Sequence, residues 1–162
     1  MTTATPKYAR AQVALHWLTL LLLLGSFVSH EWMKIAWRAI TREGVVDLSI
    51  DIGTRVHVII GISVLVLTLI RIVLRVTKGA PPPVAGQAPL ITVASAIVHG
   101  LLYLVLLALP MTGMAAWFGL IETAADVHEV LFTTGLALVA AHVLAALFHQ
   151  FVIKDNLLSR MR

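Results

Sequence analysis

The sequence predicts an all-α membrane protein, folded as a four-helix transmembrane bundle with both termini in the cytoplasm. Of its 162 residues, 59% are hydrophobic and only 12% are charged, and the mean hydropathy is +0.94. Soluble domains seldom combine so few charges with so many apolar runs. Four apolar stretches are each long enough to cross roughly 30 Å of hydrocarbon. They use most of the chain, so residues 1–162 are predicted to form a single domain.

The predicted spans cover about residues 11–33, 52–74, 90–118 and 127–152. The first span follows a short polar leader. A secretory signal peptide is the alternative interpretation of this segment, since Lys7 and Arg10 precede its apolar core. Its length, and the His16-Trp17 pair near its start, favour a helix that is retained in the membrane.

The connections between the spans differ in composition. Residues 77–89 contain three consecutive prolines, which cannot continue a helix. Residues 119–126 are predicted to form a short acidic loop. The first connection, Lys34–Asp51, is polar and of mixed charge. Three of its basic residues recur at intervals of four and would share one face if this segment were helical: Lys34, Arg38 and Arg42.

The basic residues predict the orientation of the bundle. Eight of them flank one set of span ends and four flank the other, and seven of the eight acidic residues fall on the second side. Because lysine and arginine collect on the cytoplasmic side of membrane proteins, the first set is assigned to the cytoplasm. This rule also accounts for the net charge of +4. The sequence has no nucleic-acid-binding motif, so no nucleic-acid partner is predicted.

Three histidines mark a candidate functional face on the last span. His128 and His142 are fourteen residues apart, about four helical turns, so their rings face one side of the helix roughly 21 Å apart. His149, seven residues further on, faces that side too. A histidine in lipid is costly unless it has an inward-facing task, and two imidazoles at opposite depths suit two haems, one near each membrane surface. Gly135, midway between them, would let flat macrocycles approach the backbone.

The absence of cysteine limits how such a cofactor is held. With no cysteine in the chain, disulfides, thiolate-bound iron–sulfur clusters and haem attached through a CxxCH motif are excluded. Any haem must be held by side-chain coordination alone, and neutral imidazole is a usual ligand for iron.

Predicted depth sorts the remaining histidines into pairs. His57 begins the second span at nearly the depth of His128, so these two would bind an outer haem. The inner haem would take His142 together with His16 or His99, and depth does not decide between them. A further ligand set stays open because the first span repeats the fourteen-residue spacing: His16, His30, His128 and His142.

Across all four spans the sequence resembles the bacterial four-helix di-haem cytochrome b561 family. The motifs that carry the resemblance occur in a fixed order along nearly the whole chain: Arg10, Gln12 and His16-Trp17; His57 with GISVLVL and Arg71; His99 with Tyr103 and ALP; and His128-Glu129, Gly135, His142, His149, KDN and Leu158. Two features depart from the family pattern. His30 is not part of it, and the loop between spans three and four is short.

The resemblance implies a bis-histidine haem b at each depth. It favours His16 with His142 on the inner side and His57 with His128 on the outer, periplasmic side of the bacterial inner membrane. His99 and His149 would remain as polar groups beside the inner haem, where family members are expected to meet quinone.

The function implied by the resemblance is an oxidoreductase that oxidises superoxide to dioxygen and reduces ubiquinone. Arg55 and Arg71 are candidates for pairing with the haem propionates. Lys34, Arg38 and Arg42, with Arg55, are candidates for attracting the superoxide anion. The alternative is a haem b subunit that links a periplasmic dehydrogenase or hydrogenase partner to quinone. A haem-free transporter or assembly protein is a third class, but it would leave the paired histidine depths unexplained.

Overall fold

The computed structural model describes residues 7–44, 51–84 and 86–161. This part of the chain forms four long helices, followed by a π-helical turn at His149–Ile153 and a 3-10 helix at Leu157–Met161. We number the long helices in chain order: α1 (Arg10–Glu43), α2 (Ile52–Lys78), α3 (Pro89–Gly119) and α4 (Glu122–Phe148). Residues 1–6 of the predicted leader, residues 45–50 of the first connection, Ala85 of the predicted proline-containing loop and Arg162 lie outside the described residues.

Each of the four long helices is long and apolar enough to cross a membrane, α4 together with the π-helical turn that continues it. The prediction of a helical protein with four membrane-length helices is therefore confirmed. The sidedness of the termini stays a prediction. We call the end of the bundle that holds the start of α1 the inner end, after the predicted topology, and the opposite end the outer end.

At the outer end, α1 is longer than the predicted span. It continues to Glu43, so part of the segment predicted as a polar connection is helical. Its 34 residues extend about 51 Å, whereas the hydrocarbon layer is about 30 Å thick. With the predicted span 11–33 placed in that layer, the last turns of α1 project beyond it. Within these turns Lys34 Nζ donates to Glu31 Oε1 over 2.9 Å. The helix ends where Gly44 adopts a left-handed conformation, with φ of 66°, and its N–H bonds the carbonyl of Ala39.

The predicted acidic loop between spans three and four is mostly helical. α3 ends at Gly119 and α4 begins at Glu122, which leaves Leu120 and Ile121 as the connection. Leu120 has a positive φ of 53°, and this left-handed residue reverses the chain in a short distance. The carboxylate of Glu122 lies in the first turn of α4, where a negative charge interacts favourably with the helix dipole. The acidic residues therefore start a helix instead of forming a loop.

The helices pack unevenly around the bundle. α1 packs along α2 and α3 along α4, α2 packs against α3 less extensively, and α1 and α4 approach each other closely at few backbone positions. α1 and α4 meet through ring side chains instead. Phe132 of α4 stacks on His30, with ring centroids 4.7 Å apart, and on Phe27, with centroids 6.2 Å apart. The α1–α4 seam is thus spaced by ring side chains.

Small residues allow the closely packed pairs to approach. Thr19 and Thr68 are fully buried, and each hydroxyl donates to the carbonyl four residues earlier in its own helix, over 2.7 Å. Such residues are typical of helix contacts in membranes. Gly135 serves the α3–α4 contact in the same way, because an added Cβ would lie 3.2 Å from Val105 Cγ1. The structure therefore gives Gly135 a helix-packing position, and the predicted approach of a macrocycle stays a prediction.

Candidate functional site

Three imidazoles converge near the inner end and form what we call the inner histidine cluster: His16 of α1, His99 of α3 and His142 of α4. The ring centroid of His142 lies 6.1 Å from that of His16 and 5.1 Å from that of His99. Both rings predicted as partners for His142 thus reach it, which spacing along the chain did not resolve.

A half-buried arginine accompanies this cluster. Arg71 Nη2 lies 3.2 Å from His16 Nδ1, and the guanidinium carbon is 5.5 Å from the ring centroid of Tyr103, a cation–π distance. Among the described residues, no carboxylate lies within ion-pair distance of Arg71. A guanidinium inside an apolar bundle is costly without an anionic partner, so this end of the molecule is suited to a ligand that carries negative charge.

The outer histidine cluster consists of His30, His57 and His128. The ring centroids of His30 and His57 are 6.3 Å apart, and all three rings are close enough to interact electrostatically. His57 is buried. The structure thus places the predicted outer pair in one cluster and sets His30, the histidine that departs from the family pattern, beside His57.

The outer rings are oriented by acceptors on neighbouring helices. His128 Nδ1 donates to the carbonyl oxygen of Leu109 on α3 over 2.7 Å. His57 Nδ1 lies 3.0 Å from the hydroxyl of Ser29 on α1. This hydroxyl donates its own proton to the carbonyl of Gly25, so it accepts from His57. In both rings Nε2 keeps its lone pair, which is the arrangement that second-shell partners give to metal-binding histidines.

Gly113 makes room for the His128 ring. A Cβ added at this glycine would lie 2.9 Å from His128 Cε1 and 3.0 Å from its Nδ1, closer than real Cβ contacts. The absence of a side chain on α3 therefore lets the imidazole lie against the helix backbone and reach the Leu109 carbonyl. No motif in the sequence signals this contact, because it joins residues from two helices.

The inner rings have a different hydrogen-bonding pattern. A guanidinium only donates hydrogen bonds, so His16 Nδ1 accepts from Arg71, and the proton of the neutral ring is on Nε2. The half-buried His16 therefore does not present a free Nε2 lone pair in this arrangement. His99 Nδ1 instead donates to the Ser95 carbonyl over 2.6 Å, and its side chain is exposed at the edge of the cluster.

The third histidine of the predicted functional face lies elsewhere. His149 is buried in the π-helical turn, and its Nδ1 is 2.5 Å from Asp155 Oδ2. The pairing of Asp155 with His149 was not predicted, because a six-residue spacing across a helix end has no recognisable signature. A role for His149 toward quinone stays a prediction.

The clusters are not arranged as protein-only metal centres. Within the described ranges, no group of three or more His, Cys, Asp or Glu side chains converges to hold a metal ion. Pairs of imidazoles from different helices instead suit a metal that brings its own equatorial ligands, as iron does in haem.

Four membrane-length helices with imidazole pairs near both ends are features of a multi-pass membrane cytochrome. Residues 7–162 match the profile of the prokaryotic cytochrome b561 family, and the chain belongs to that family. It is accordingly a multi-pass bacterial membrane protein of haem b electron transfer.

The chain is similar over nearly its full length to several proteins of this kind. It is 40% identical over 159 residues to cytochrome b562 of Cereibacter sphaeroides, covering 98% of this chain and 97% of that protein. It is 32% identical over 177 residues to a probable superoxide oxidase of Yersinia pestis, covering 96% and 95%. It is 31% identical over 180 residues to cytochrome b561 homolog 1 of Escherichia coli, covering 96% of each.

Proposed function

We propose that this protein is a di-haem cytochrome of the bacterial inner membrane that oxidises superoxide at its periplasmic end and reduces ubiquinone. The proposal assigns His16 and His142 to the inner haem and His57 and His128 to the outer haem. It treats residues 1–162 as one domain with both termini in the cytoplasm. The observation that carries it is the meeting of imidazoles from different helices at both ends of the bundle: His16 with His142 at the inner end, and His57 with His30 at the outer end.

The distance across the α1–α4 seam fits one iron between His16 and His142. A first-row metal binds an imidazole nitrogen at about 2.0 Å, so two rings on opposite sides of it have centroids roughly 6 Å apart. The observed 6.1 Å between His16 and His142 matches this spacing, whereas the 5.1 Å between His99 and His142 is short for it. We therefore assign His16, rather than His99, as the partner of His142.

Arg71 has to change partners for this assignment to hold. His16 can offer Nε2 only if its proton moves to Nδ1, and a protonated Nδ1 no longer accepts from the guanidinium. Arg71 would then turn toward an anion, and a haem propionate supplies one at a bis-histidine site. Tyr103 remains beside the guanidinium. The arginine that is unpaired with any carboxylate in the described structure thus gains a partner when the site is filled.

When bound, a haem held on both sides by imidazole supplies one-electron transfer at an iron with no open coordination position. The overall reaction balances as two superoxide anions, one ubiquinone and two protons giving two molecules of dioxygen and one ubiquinol. Each superoxide loses one electron, and the quinone gains both electrons and both protons. The chain has to attract the anion at one end and supply protons to the quinone near the other.

Basic residues beyond the outer end suit the first task. Arg38 and Arg42 are exposed on the projecting turns of α1, and neither has an acidic partner within ion-pair distance in the described structure. Lys34 already bonds Glu31, so it contributes less, and Arg55 starts the adjacent helix. A positive surface raises the association rate of a small anion, and salt screens the effect.

His99 suits the second task. It lies beside the inner pair, and its exposed ring has Nδ1 tied to the Ser95 carbonyl, which leaves Nε2 to meet a quinone carbonyl or to pass a proton. His149 follows the end of α4, but its Nδ1 bonds Asp155. We therefore propose His99 as the principal protein contact for quinone.

The test starts from purified protein expressed with ample haem. A reduced-minus-oxidised spectrum and haem quantification should show two low-spin b haems per chain. Superoxide should then be consumed in proportion to ubiquinol formed, in a ratio of two to one. The rate should fall with rising ionic strength, and His99→Gln should slow quinone reduction while both haems remain.

Two results would contradict the proposal. A single haem per chain would remove one of the two assigned pairs. Two haems with superoxide consumption no faster than spontaneous dismutation would leave the cytochrome assignment intact and remove superoxide as the donor. An ionic-strength-independent rate would remove only the role of Arg38 and Arg42.

The second candidate is an electron-transfer subunit that serves a periplasmic dehydrogenase or hydrogenase. Its specific support is the projection of α1 to Glu43, which presents a helical surface outside the membrane to a protein partner. A stable periplasmic partner that copurifies and reduces the outer haem, with negligible superoxide reactivity in the isolated protein, would favour this function.

A further inference from the structure

The C-terminal segment folds back over the inner end of the bundle. Lys154–Met161 follows the π-helical turn, and three long-range hydrogen bonds join it to the start of the chain and to the α2–α3 connection. Arg160 Nη1 donates to the carbonyl of Pro82 over 2.6 Å. Tyr8 N donates to the carbonyl of Arg160 over 3.3 Å, and Trp17 Nε1 donates to the carbonyl of Met161 over 3.3 Å. We call this segment the C-terminal clasp.

A buried ion pair or hydrogen bond anchors the clasp to α4. The side chains of His149 and Asp155 are 11% and 10% exposed, and Asp155 Oδ2 lies 2.5 Å from His149 Nδ1. The other carboxylate oxygen of Asp155 accepts from the backbone N–H of Leu157, at the start of the 3-10 helix. One carboxylate thus joins the end of α4 to the returning segment and sets the direction in which the chain turns back.

The backbone at the turn supports a specific conformation. Lys154 and Asn156 have positive φ values of 61° and 57°, which non-glycine residues adopt at a cost. Both flank Asp155. Because surrounding contacts must hold such residues in place, the anchor between His149 and Asp155 and the bonds made by Arg160 together fix the fold of the clasp.

The clasp reaches the inner histidine cluster through one side chain. The Trp17 ring that donates to the Met161 carbonyl also packs edge-on against His16, with ring centroids 5.5 Å apart and planes at 83°. In the described structure the hydrogen-bond partner of His16 is the Arg71 guanidinium, whereas His57 and His128 bond a hydroxyl and a carbonyl. Arg71 bonds His16 Nδ1 in this structure but has to release it when the proposed inner site is filled. Trp17 then limits rotation of the His16 ring, and the clasp holds Trp17.

We propose that the C-terminal clasp, Lys154–Met161, is a positioning element for the inner haem site and acts on His16 through Trp17. The inference rests on the proposed role of His16 as a haem ligand. It assigns Trp17, Asp155 and Arg160 to positioning and not to the reaction itself. It also explains why His149 is buried against Asp155 at the end of α4.

The test uses full-length holoprotein and two small changes to the same hydrogen bond. Trp17→Phe keeps a ring against His16 but removes the N–H donor, and deletion of residues 161–162 removes the acceptor carbonyl. Each change alone should speed haem loss from the inner site about fivefold, the effect of one net hydrogen bond. The combined variant should lose haem no faster than either alone, because both changes break one interaction.

Haem transfer to excess apomyoglobin gives the rate, and EPR of the ferric protein assigns the haem that remains. The EPR signal of the inner haem should shift in each variant because it depends on the orientation of the axial imidazole planes, while the outer signal should stay unchanged. Trp37→Phe is the matched control, since Trp37 is an outer-end tryptophan outside the clasp. It should leave both rates and both signals as in the wild type.

The outcomes separate this inference from the proposed function. If the wild-type protein holds two haems but the variants lose the inner haem at the wild-type rate, the positioning role of the clasp is wrong and the proposed function stands. The same conclusion follows if the variants have additive effects on both haems. Wild-type protein without an inner haem would overturn the proposed ligand assignment and this inference with it. Non-additive loss confined to the inner haem would support both.

Discussion

The inner and outer histidine clusters use similar residues in different surroundings. In the outer cluster, His57 and His128 each bond a neutral acceptor on another helix, the Ser29 hydroxyl and the Leu109 carbonyl. In the inner cluster, His16 accepts from the charged guanidinium of Arg71. Outer rings therefore already present Nε2, whereas the inner ring does so only after a proton and a guanidinium have moved.

This difference indicates that the two sites have separate physical controls. The outer site is set by packing and by hydrogen bonds within the bundle, so its geometry should depend on side-chain volume. The inner site contains a charge with no carboxylate partner in the described structure, and its closest tryptophan is held by the C-terminal clasp. We expect the inner site to depend on charge and on the fold of the chain ends.

The largest expected effect comes from removing a ligand. His142→Ala should eliminate the inner haem and His128→Ala the outer haem, leaving about one haem per chain in each variant, because a bis-histidine site loses half its protein ligands. Pyridine haemochrome quantification measures the loss. His30→Ala is the matched control and should keep both haems. Haem loss in His30→Ala but not in His57→Ala would instead make His30 the outer ligand.

Gly113→Ala should weaken the outer site selectively. The new methyl group would meet the His128 ring at 2.9 Å, and overpacking of this kind costs about 1–3 kcal/mol. Outer haem retention should therefore weaken about fivefold to 150-fold, measured as the rate of haem transfer to apomyoglobin. Gly61→Ala is the control, because a Cβ there meets nothing within 4 Å. Equal effects at both glycines would show that the ring contact is unimportant.

Arg71→Gln should change the inner haem's redox equilibrium. A nearby positive charge favours the reduced, more negative state, so its removal should lower the inner midpoint potential. A tenfold change in the reduction equilibrium is about 59 mV for a one-electron couple, and we expect a shift of about this size. A redox titration measures it. Arg75→Gln, at an exposed position one turn further on, should shift neither haem as much. A shift in the midpoint potential of the outer haem alone would contradict the assignment of Arg71 to the inner site.

Ser29→Ala should have the smallest effect of the series. It removes the acceptor for His57 Nδ1, and one net hydrogen bond changes an equilibrium about fivefold. The outer haem should be lost faster by that factor, while the inner haem is unaffected. Ser63→Ala is matched in volume and loses only a bond to its own helix, at the Ile59 carbonyl. If both serine variants lose haem alike, the His57–Ser29 bond does not orient the ligand.

Several features of the site followed from residue types and spacing, and others did not. The fourteen-residue separation of His128 and His142 placed them in different clusters, since the rise of a helix is fixed at about 1.5 Å per residue. The position of His30 beside His57, and of His99 beside His142, depends on how each helix is rotated about its axis. Hydropathy does not specify that rotation when most faces of a helix are apolar.

The extra helical residues at the ends of α1 and α4 have a similar explanation. Composition predicted polar connections there, because polarity marks the limit of a membrane span. A helix does not have to end where the hydrocarbon ends, however, and α1 continues to Glu43 because its polar residues can still form helical turns in water. Span limits and helix limits are thus set by different forces, and only the first is read from hydropathy.

The sequence by itself determined the number of membrane-length helices and the relative depth of the histidines, since both follow from local hydropathy and helix rise. The tertiary structure decided which rings meet and which ring nitrogen is bonded. It also decided that the His128 ring lies against Gly113, and that Asp155 directs the C-terminal segment back toward Trp17. Those features depend on helix rotation, helix neighbours and long-range hydrogen bonds, which bring together residues far apart in the chain.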